Sequence, residues 1–246
     1  MSADTQHYLA ELCGRAAFRS MPLFSRFLNL TEQKWAGIEA KKAGCCLKLF
    51  GGAPDAERRM LAVCAESAPD DAEFPIDCLK ISPKSMKFAS PIAHRDVLGA
   101  LMGLGIEREM LGDIAIDGNC AYVFCVRSIS PLIRESITQV CRCDVKIALS
   151  DPPGIPLHQT KEVLLRLTSL RLDSLCAAMY HLSRGDAQEL IRKGLVNVDD
   201  EPCLKCDYTP LDGQVISVRG QGRFRLKGMD GKTRKNKEII QAEQYI

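Results

Sequence analysis

Arg171, Ser183, Arg184 and Lys193 stand close together in the last third of the chain, and Arg219, Arg223, Arg225 and Lys227 follow among glycines. The chemistry these types suit is recognition of phosphate. Arginine presents a planar fork of donors to phosphate oxygens, and lysine presents a point charge. Such contacts fix the register of a protein on RNA without reading its sequence. Shape of a folded RNA would then supply specificity. A solvated charged face is the competing reading for each residue.

The elements that must hold these side chains can be read locally. Leu172, Leu175 and Met179 fall at helical spacing, so a helix with one apolar face follows Arg171. Ser183 takes an N-cap position, and Asp186 three residues later completes a capping-box pattern. Ala187, Leu190 and Ile191 give the second helix its inward face, and Gly194 stands just past its end. Arg184, Arg192 and Lys193 fit neither apolar stripe and belong at solvent. Arg184 sits in a first helical turn, where the dipole disfavours a cation, so a partner anion would compensate it. Short strands are expected at 195–198 and 215–218. The second runs into Arg219-Gly220-Gln221-Gly222-Arg223-Phe224-Arg225.

Other chemistry is thinly represented. Cys203-Leu204-Lys205-Cys206 has zinc-ligand spacing, but no second pair follows, and Cys141 and Cys143 could supply one only through a tertiary contact. No metal and no cofactor are expected. The 12 cysteines read as reduced thiols, and Cys13, Cys64, Cys78, Cys120, Cys125 and Cys176 lie in apolar segments. His94 stands without a visible nucleophile or metal partner. No glycine-rich loop links a strand to a following helix, and no phosphate-cradling P-loop is present. No catalytic residue and no small-molecule substrate are expected, and the chain is not read as an enzyme.

Charge supports a binding role only locally. The net charge is +2, with 15 Lys and Arg against 12 Asp and Glu from Thr160 onward. Between Arg219 and Lys237 the bias sharpens: Arg219, Arg223, Arg225, Lys227, Lys232, Arg234, Lys235 and Lys237 face only Asp230. Such a run attracts phosphate in a salt-sensitive way. A soluble basic tail is the alternative. No stretch approaches the ~20 apolar residues that span a bilayer, so no membrane partner is expected. Asp4 and Glu11 interrupt any secretory signal, which points to the cytoplasm.

Three regions and a tail are expected, in an α+β chain. Residues 1–70 form an α/β region with a helix near 8–18, a second capped by Thr31 with Trp35 and Ile38 inward, and a strand at 45–50 ending at Gly51-Gly52. Residues 58–64 return as a strand or a helix, and 67–73 read as an acidic linker. Residues 74–151 follow β-α-β-β-α-β, the ferredoxin plan that RNA-recognition modules share. Its pieces are a strand at 76–81, a helix opened by Ser90-Pro91, two strands joined at Asp117-Gly118-Asn119, a helix at 130–140 and a strand at 145–149. Tyr122 and Phe124 share a strand face there, and core packing is their favoured role over stacking on bases. Asp151-Pro152-Pro153-Gly154 links to the RNA-binding module at 163–230, and 231–246 read as a basic, then polar, tail.

Residues 168–228 carry Arg-Leu-Asp, Ser-Arg, Ala-x-x-Leu-Ile, Asp-Gly-x-x-Ile and Val-Arg-Gly-x-Gly-Arg-Phe in one order. This resembles the alpha-L RNA-binding domain first described in ribosomal protein S-four. Asp186 stands where relatives often have lysine, and Asp199, Asp200 and Glu201 dilute the field. Upstream lie Phe27-Leu28-Asn29-Leu30-Thr31-Glu32-Gln33, Gly51-Gly52 before Ala56-Glu57-Arg58-Arg59, and a block from His94 through Gly103-Leu104-Gly105-Ile106-Glu107-Arg108 to Leu111-Gly112-Asp113-Ile114. Together these are similar to the bacterial YlmH family. That resemblance implies a cytoplasmic RNA-binding protein that meets rRNA or tRNA on the large ribosomal subunit, and a monomer is expected. It also implies a role in quality control of stalled nascent chains. An accessory to RNA modification is the runner-up, although the module leads a large catalytic domain in pseudouridine synthases and only a short tail follows it here. An adaptor for protein partners, built on the middle region, is the third reading.

Overall fold

The computed structural model describes residues 3–19, 21–85, 91–233 and 237–246. The chain is mixed α/β and divides into two compact units, Met1–Leu157 and His158–Ile246. No helix among the described residues is long and apolar enough to cross a membrane.

The first unit opens with α1 (Ala3–Ala16), β1 (Leu23–Leu28), α2 (Leu30–Lys42), β2 (Cys46–Phe50) and β3 (Arg59–Cys64). Residues 59–64 are thus a strand, and β3 is central in the order β1-β3-β2. The cap of α2 is Asn29 and not Thr31. Asn29 is extended and accepts the Glu32 amide at 2.9 Å, while the Glu32 carboxylate accepts the Asn29 amide at 2.8 Å. Ala36 and Ala40 are buried and the expected Trp35 packs against the same core, whereas Ile38 is 45% exposed.

β4 (Ile76–Pro83), α3 (His94–Met102), β5 (Leu111–Asp117), β6 (Cys120–Val126), α4 (Ser130–Ser136), β7 (Gln139–Val140) and β8 (Cys143–Leu149) follow. Ser90, expected to open α3, lies outside the described residues. The strands stand in the order β5-β6-β4-β8-β7. Helix α4 ends at Ser136, short of the expected residue 140. Ile137 is extended, and β7 folds back on β8 through Cys141 at φ 55°. The β-branched residues Ile137 and Val140 enter the core from that extended backbone.

Period-two alternation gives this sheet two buried faces. Leu79, Ile81, Ala121, Val123 and Cys125 meet the helices, in one core with Val97, Leu101 and Ile133. Cys78, Tyr122 and Phe124 point the other way, into a second core with Phe27, Met60, Ala62 and Phe74. Residues 67–73 are accordingly no free linker. Lys48 Nζ pairs with Asp71 at 3.0 Å and donates to the Pro69 carbonyl at 3.1 Å, and Phe74 is buried. Aromatic side chains from both sides of residues 70–74 share this second core, within one compact unit.

The second unit comprises β9 (Thr160–Leu167), α5 (Leu172–Met179), α6 (Arg184–Arg192), β10 (Val196–Val198), β11 (Glu201–Pro202), β12 (Val215–Val218), β13 (Gly222–Lys232) and β14 (Glu238–Tyr245). They form one six-stranded sheet, β11-β10-β12-β13-β14-β9. Its core draws Leu172, Leu175, Ala187 and Ile191 from the helices and Ile216, Phe224, Leu226, Ile240 and Ala242 from strands. Residues 238–245 are therefore a paired strand and not the expected tail. Ile240 and Ala242 face the core while Gln241 and Glu243 alternate outward, and β14 bonds to β13 on one side and β9 on the other. Arg234 and Lys235 lie outside the described residues.

Candidate nucleic-acid interface

Asp173 organises the helical edge of the second unit. It is wholly buried in the first turn of α5, where its own amide donates to the Cys206 carbonyl at 3.1 Å. Its carboxylate accepts Arg171 Nε and Nη2, both at 3.2 Å, Arg184 Nε at 3.1 Å and Nη2 at 3.4 Å, and Gln188 Nε2 at 2.8 Å. Burial pushes the carboxyl pKa up, but the hydrogen bonds from Arg171, Gln188 and Arg184 outweigh it and hold the group well below the usual carboxylate range. The anion expected to compensate Arg184 is therefore internal. The side chains of Arg171 and Arg184 remain 40% and 53% exposed. Two guanidiniums thus share one carboxylate, fixed in place with an excess of positive charge.

Ser183 caps α6: its hydroxyl accepts the Asp186 amide at 3.1 Å and donates to the Asp186 carboxylate at 2.7 Å. That side chain is engaged locally and acts on the site through the helix it starts. Lys193 is exposed and pairs with Glu189 at 2.6 Å, one helical turn back. Exposed pairs of this spacing contribute only about 0.3–0.5 kcal/mol, so a phosphate can compete for the lysine.

The remaining predicted residues sit elsewhere. On β13, Phe224 and Leu226 enter the core beneath the helices, so Arg223 and Arg225 point from the opposite face. Arg223 stacks 4.8 Å over the Tyr245 ring and lies 3.8 Å from Asp200. Arg225 donates to the Tyr245 hydroxyl from Nε at 3.1 Å and Nη2 at 2.9 Å. Lys227 pairs with Glu243 at 2.8 Å. Arg219 lies in the β12–β13 turn, exposed, and makes no ion pair with a described residue. The structure thus gathers Arg171, Arg184 and, at the far end of α6, Lys193 on the helical layer, and sets Arg219, Arg223, Arg225 and Lys227 on strands and a turn. Sequence reasoning missed Asp173 as the common anchor, although Arg-Leu-Asp and Ser-Arg both flagged its neighbourhood. It missed Gln188 and Tyr245 altogether, and no local pattern marks either.

All twelve cysteines are free thiols, and no cluster of three or more metal-ligand side chains occurs among the described residues. Burial pushes the thiols of Cys78, Cys125 and Cys176 up to about 12, so they stay protonated and behave as small hydrophobes.

The upstream motif blocks converge on packing in the first unit. Asp113 is buried and its carboxylate accepts the backbone amides of Glu57 at 2.6 Å and Arg58 at 3.1 Å. Arg58 reaches back to the carbonyls of Leu111 and Phe27, and Arg108 to those of Leu111 and Gly112. A Cβ on Gly112 would stand 2.8 Å from Phe27 Cε1 and 2.9 Å from Phe124 Cβ. Glycine is required there by close approach. His94, Arg95 and Asp96 open α3, where Asp96 accepts the Ala93 amide at 3.0 Å and so closes the helix start.

A family model described as "Putative RNA-binding domain in YlmH" matches residues 69–151, the span of the five-stranded sheet and its helices. Likeness to that family extends far beyond this segment. Over 222 residues, 89% of this chain and 85% of the relative, it is 32% identical to "Ribosome-associated protein quality control protein P2" of Bacillus subtilis (strain 168). The chain belongs to the YlmH family. Its fold is also similar to the solved "Cell division protein ylmH from Streptococcus pneumoniae", with TM-score 0.51 and 21% identity over 61% of this chain and 93% of that one.

Proposed function

We propose that this chain is a non-catalytic, cytoplasmic RNA-binding protein that acts as a monomer on the large ribosomal subunit, in quality control of stalled nascent chains. The observation that carries the reading is the pair of half-exposed guanidiniums, Arg171 and Arg184, held on the buried Asp173 carboxylate at the starts of two helices. We read the second unit as the alpha-L module of the ribosomal protein S-four type, and residues 74–151 as a ferredoxin-like domain. The family's putative RNA-binding segment and the name of the Bacillus relative support an RNA of the ribosome as the ligand. Base stacking on the five-stranded sheet is not part of this proposal, because Tyr122 and Phe124 are core residues.

Co-sedimentation of the full chain with large subunits, across a salt series, tests the reading. Arg184→Gln combined with Arg192→Gln and Lys193→Gln removes charge from one helix without adding a carboxylate beside Asp173. This variant is expected to leave the subunit fraction at salt concentrations where wild type remains bound. Sedimentation indistinguishable from wild type at every salt concentration would rule out the helical edge. Incubation with rRNA and tRNA should yield no modified base.

A further inference from the structure

Three strands of the second unit set Asn197 of β10, Ser217 of β12 and Arg223 of β13 in one row. Asn197 is the register partner of Ser217, and Ser217 of Arg223. Their strand neighbours Val196, Val198, Ile216, Val218 and Phe224 are buried in the core, so the row lies on the face away from the helices. It lines a groove of about 440 Å³, walled by Gly194 and Leu195 at the end of α6 and by Arg219, Gly220 and Gly222 of the β12–β13 turn. Gly220 and Gly222 have φ of 81° and 101°, and a Cβ on either would meet nothing within 4 Å, so this wall is backbone beside open space. The side chains of Asn197, Ser217 and Arg219 have no hydrogen-bond or ion-pair partner among the described residues.

A half-exposed amide and hydroxyl without a protein partner among the described residues, beside the exposed Arg219 and the Tyr245-stacked Arg223, form a recognition set. The amide offers donor and acceptor together, the hydroxyl either, and the guanidiniums suit a phosphate or the face of a ring. A phosphate alone would leave the neutral pair unused, and the groove has the volume of a small-molecule site. RNA is read in sequence mainly through unpaired bases splayed out of the stack. We infer that this groove takes a single unstacked nucleotide of the bound RNA, with Asn197 and Ser217 on the base edge and Arg219 on its phosphate. The inference rests on the RNA-binding reading above and adds to it a position where sequence is read.

The test uses the full chain and two sets of fluorescent RNA hairpins, one fully paired and one carrying a single unpaired nucleotide, each of the four bases in turn. Anisotropy titration should show at least one bulged hairpin bound about tenfold tighter than its paired counterpart, a difference of about 1.4 kcal/mol. Asn197→Ala with Ser217→Ala should abolish that preference and leave affinity for the paired hairpin unchanged. The side-chain amide resonance of Asn197 should shift on adding bulged RNA and not paired RNA, which needs no variant to fold. An unshifted amide, or a preference kept by the double variant, overturns the inference. So does an amide that responds to free adenosine monophosphate but not to bulged RNA. Paired-hairpin binding that survives removal of charge from Arg184, Arg192 and Lys193 counts against the helical edge alone, because the bulge preference is read independently of it.

Discussion

Replacing Asp173 by asparagine tests the organising element of the proposed interface. The substitution keeps shape and removes one charge. Asparagine offers one acceptor oxygen where the carboxylate offered two, and its amide group would face the donors of Arg171, Arg184 and Gln188. Breaking a fully buried pair costs about 3–5 kcal/mol. Both arginines here are partly solvated, which screens their loss, so roughly 2–3 kcal/mol is expected after that discount. For a unit of this size each kcal/mol lowers the midpoint by about 4–8 °C, so calorimetry of the full chain should show the transition of the second unit falling by at least about 8 °C. The pH dependence gives an independent readout. The folded carboxyl pKa lies below its ordinary value of 3.8, so its stabilisation is complete above that value and is lost as pH falls below it. Wild type should show that acid loss and Asp173→Asn should lack this component. At a temperature where both are folded, the variant should also bind RNA more weakly, because the two guanidiniums are no longer held together. Unchanged melting together with unchanged acid sensitivity would refute the argument that Asp173 anchors the site.

Further substitutions test the packing. Gly112→Ala should destabilise the first unit by about 1–3 kcal/mol through overpacking against Phe27 and Phe124, seen as a lower denaturant midpoint. Phe124→Ala should cost about 3–5 kcal/mol in the same assay while RNA affinity of the folded fraction stays at the wild-type value. Ile240→Asp places an unpaired charge in the core of the second unit and should abolish its cooperative unfolding transition by circular dichroism.

What could be read in the sequence was local. The helix starting at Ser183, its inward Ala187 and Ile191 and the residue Gly194 past its end follow from side-chain spacing and capping within one or two turns. Arg184, Arg192 and Lys193 were set outside the apolar stripes and are exposed, whereas Arg223 and Arg225 were placed only in a basic run. Which face of the unit each one occupies was not legible, because that depends on the alternation of β13 beneath two helices packed from one side. The last strand was hidden for a related reason. Residues 238–245 alternate only Ile240 and Ala242 inward among polar neighbours, and a segment so polar becomes a strand only when β13 and β9 bond to both its edges. The stretch before residue 74 concealed its packing similarly. Its acidic residues look like a linker until Phe74 is seen to share a core with Phe27 and Phe124.

The same internal pairing alters what salt should do. Counted from sequence, the seven cations Arg171, Arg184, Lys193, Arg219, Arg223, Arg225 and Lys227 would each neutralise a phosphate, and log affinity against log salt would fall with a slope of about −5 for a single strand. In the fold, Arg171 and Arg184 share Asp173, while Lys193, Arg223 and Lys227 each lie within 4 Å of a carboxylate. A cation already balanced by the protein releases no condensed counterion from RNA unless its internal pair opens. At most three uncompensated charges remain, so the slope should be no steeper than about −2. Titrations of the full chain with a labelled RNA between low and physiological salt measure this directly. A slope near −4 would mean that the pairs on Glu189, Asp200 and Glu243 break on binding, and Glu243→Gln would then leave the slope unchanged. If the pairs persist, Glu243→Gln frees Lys227 and should steepen the slope by nearly one.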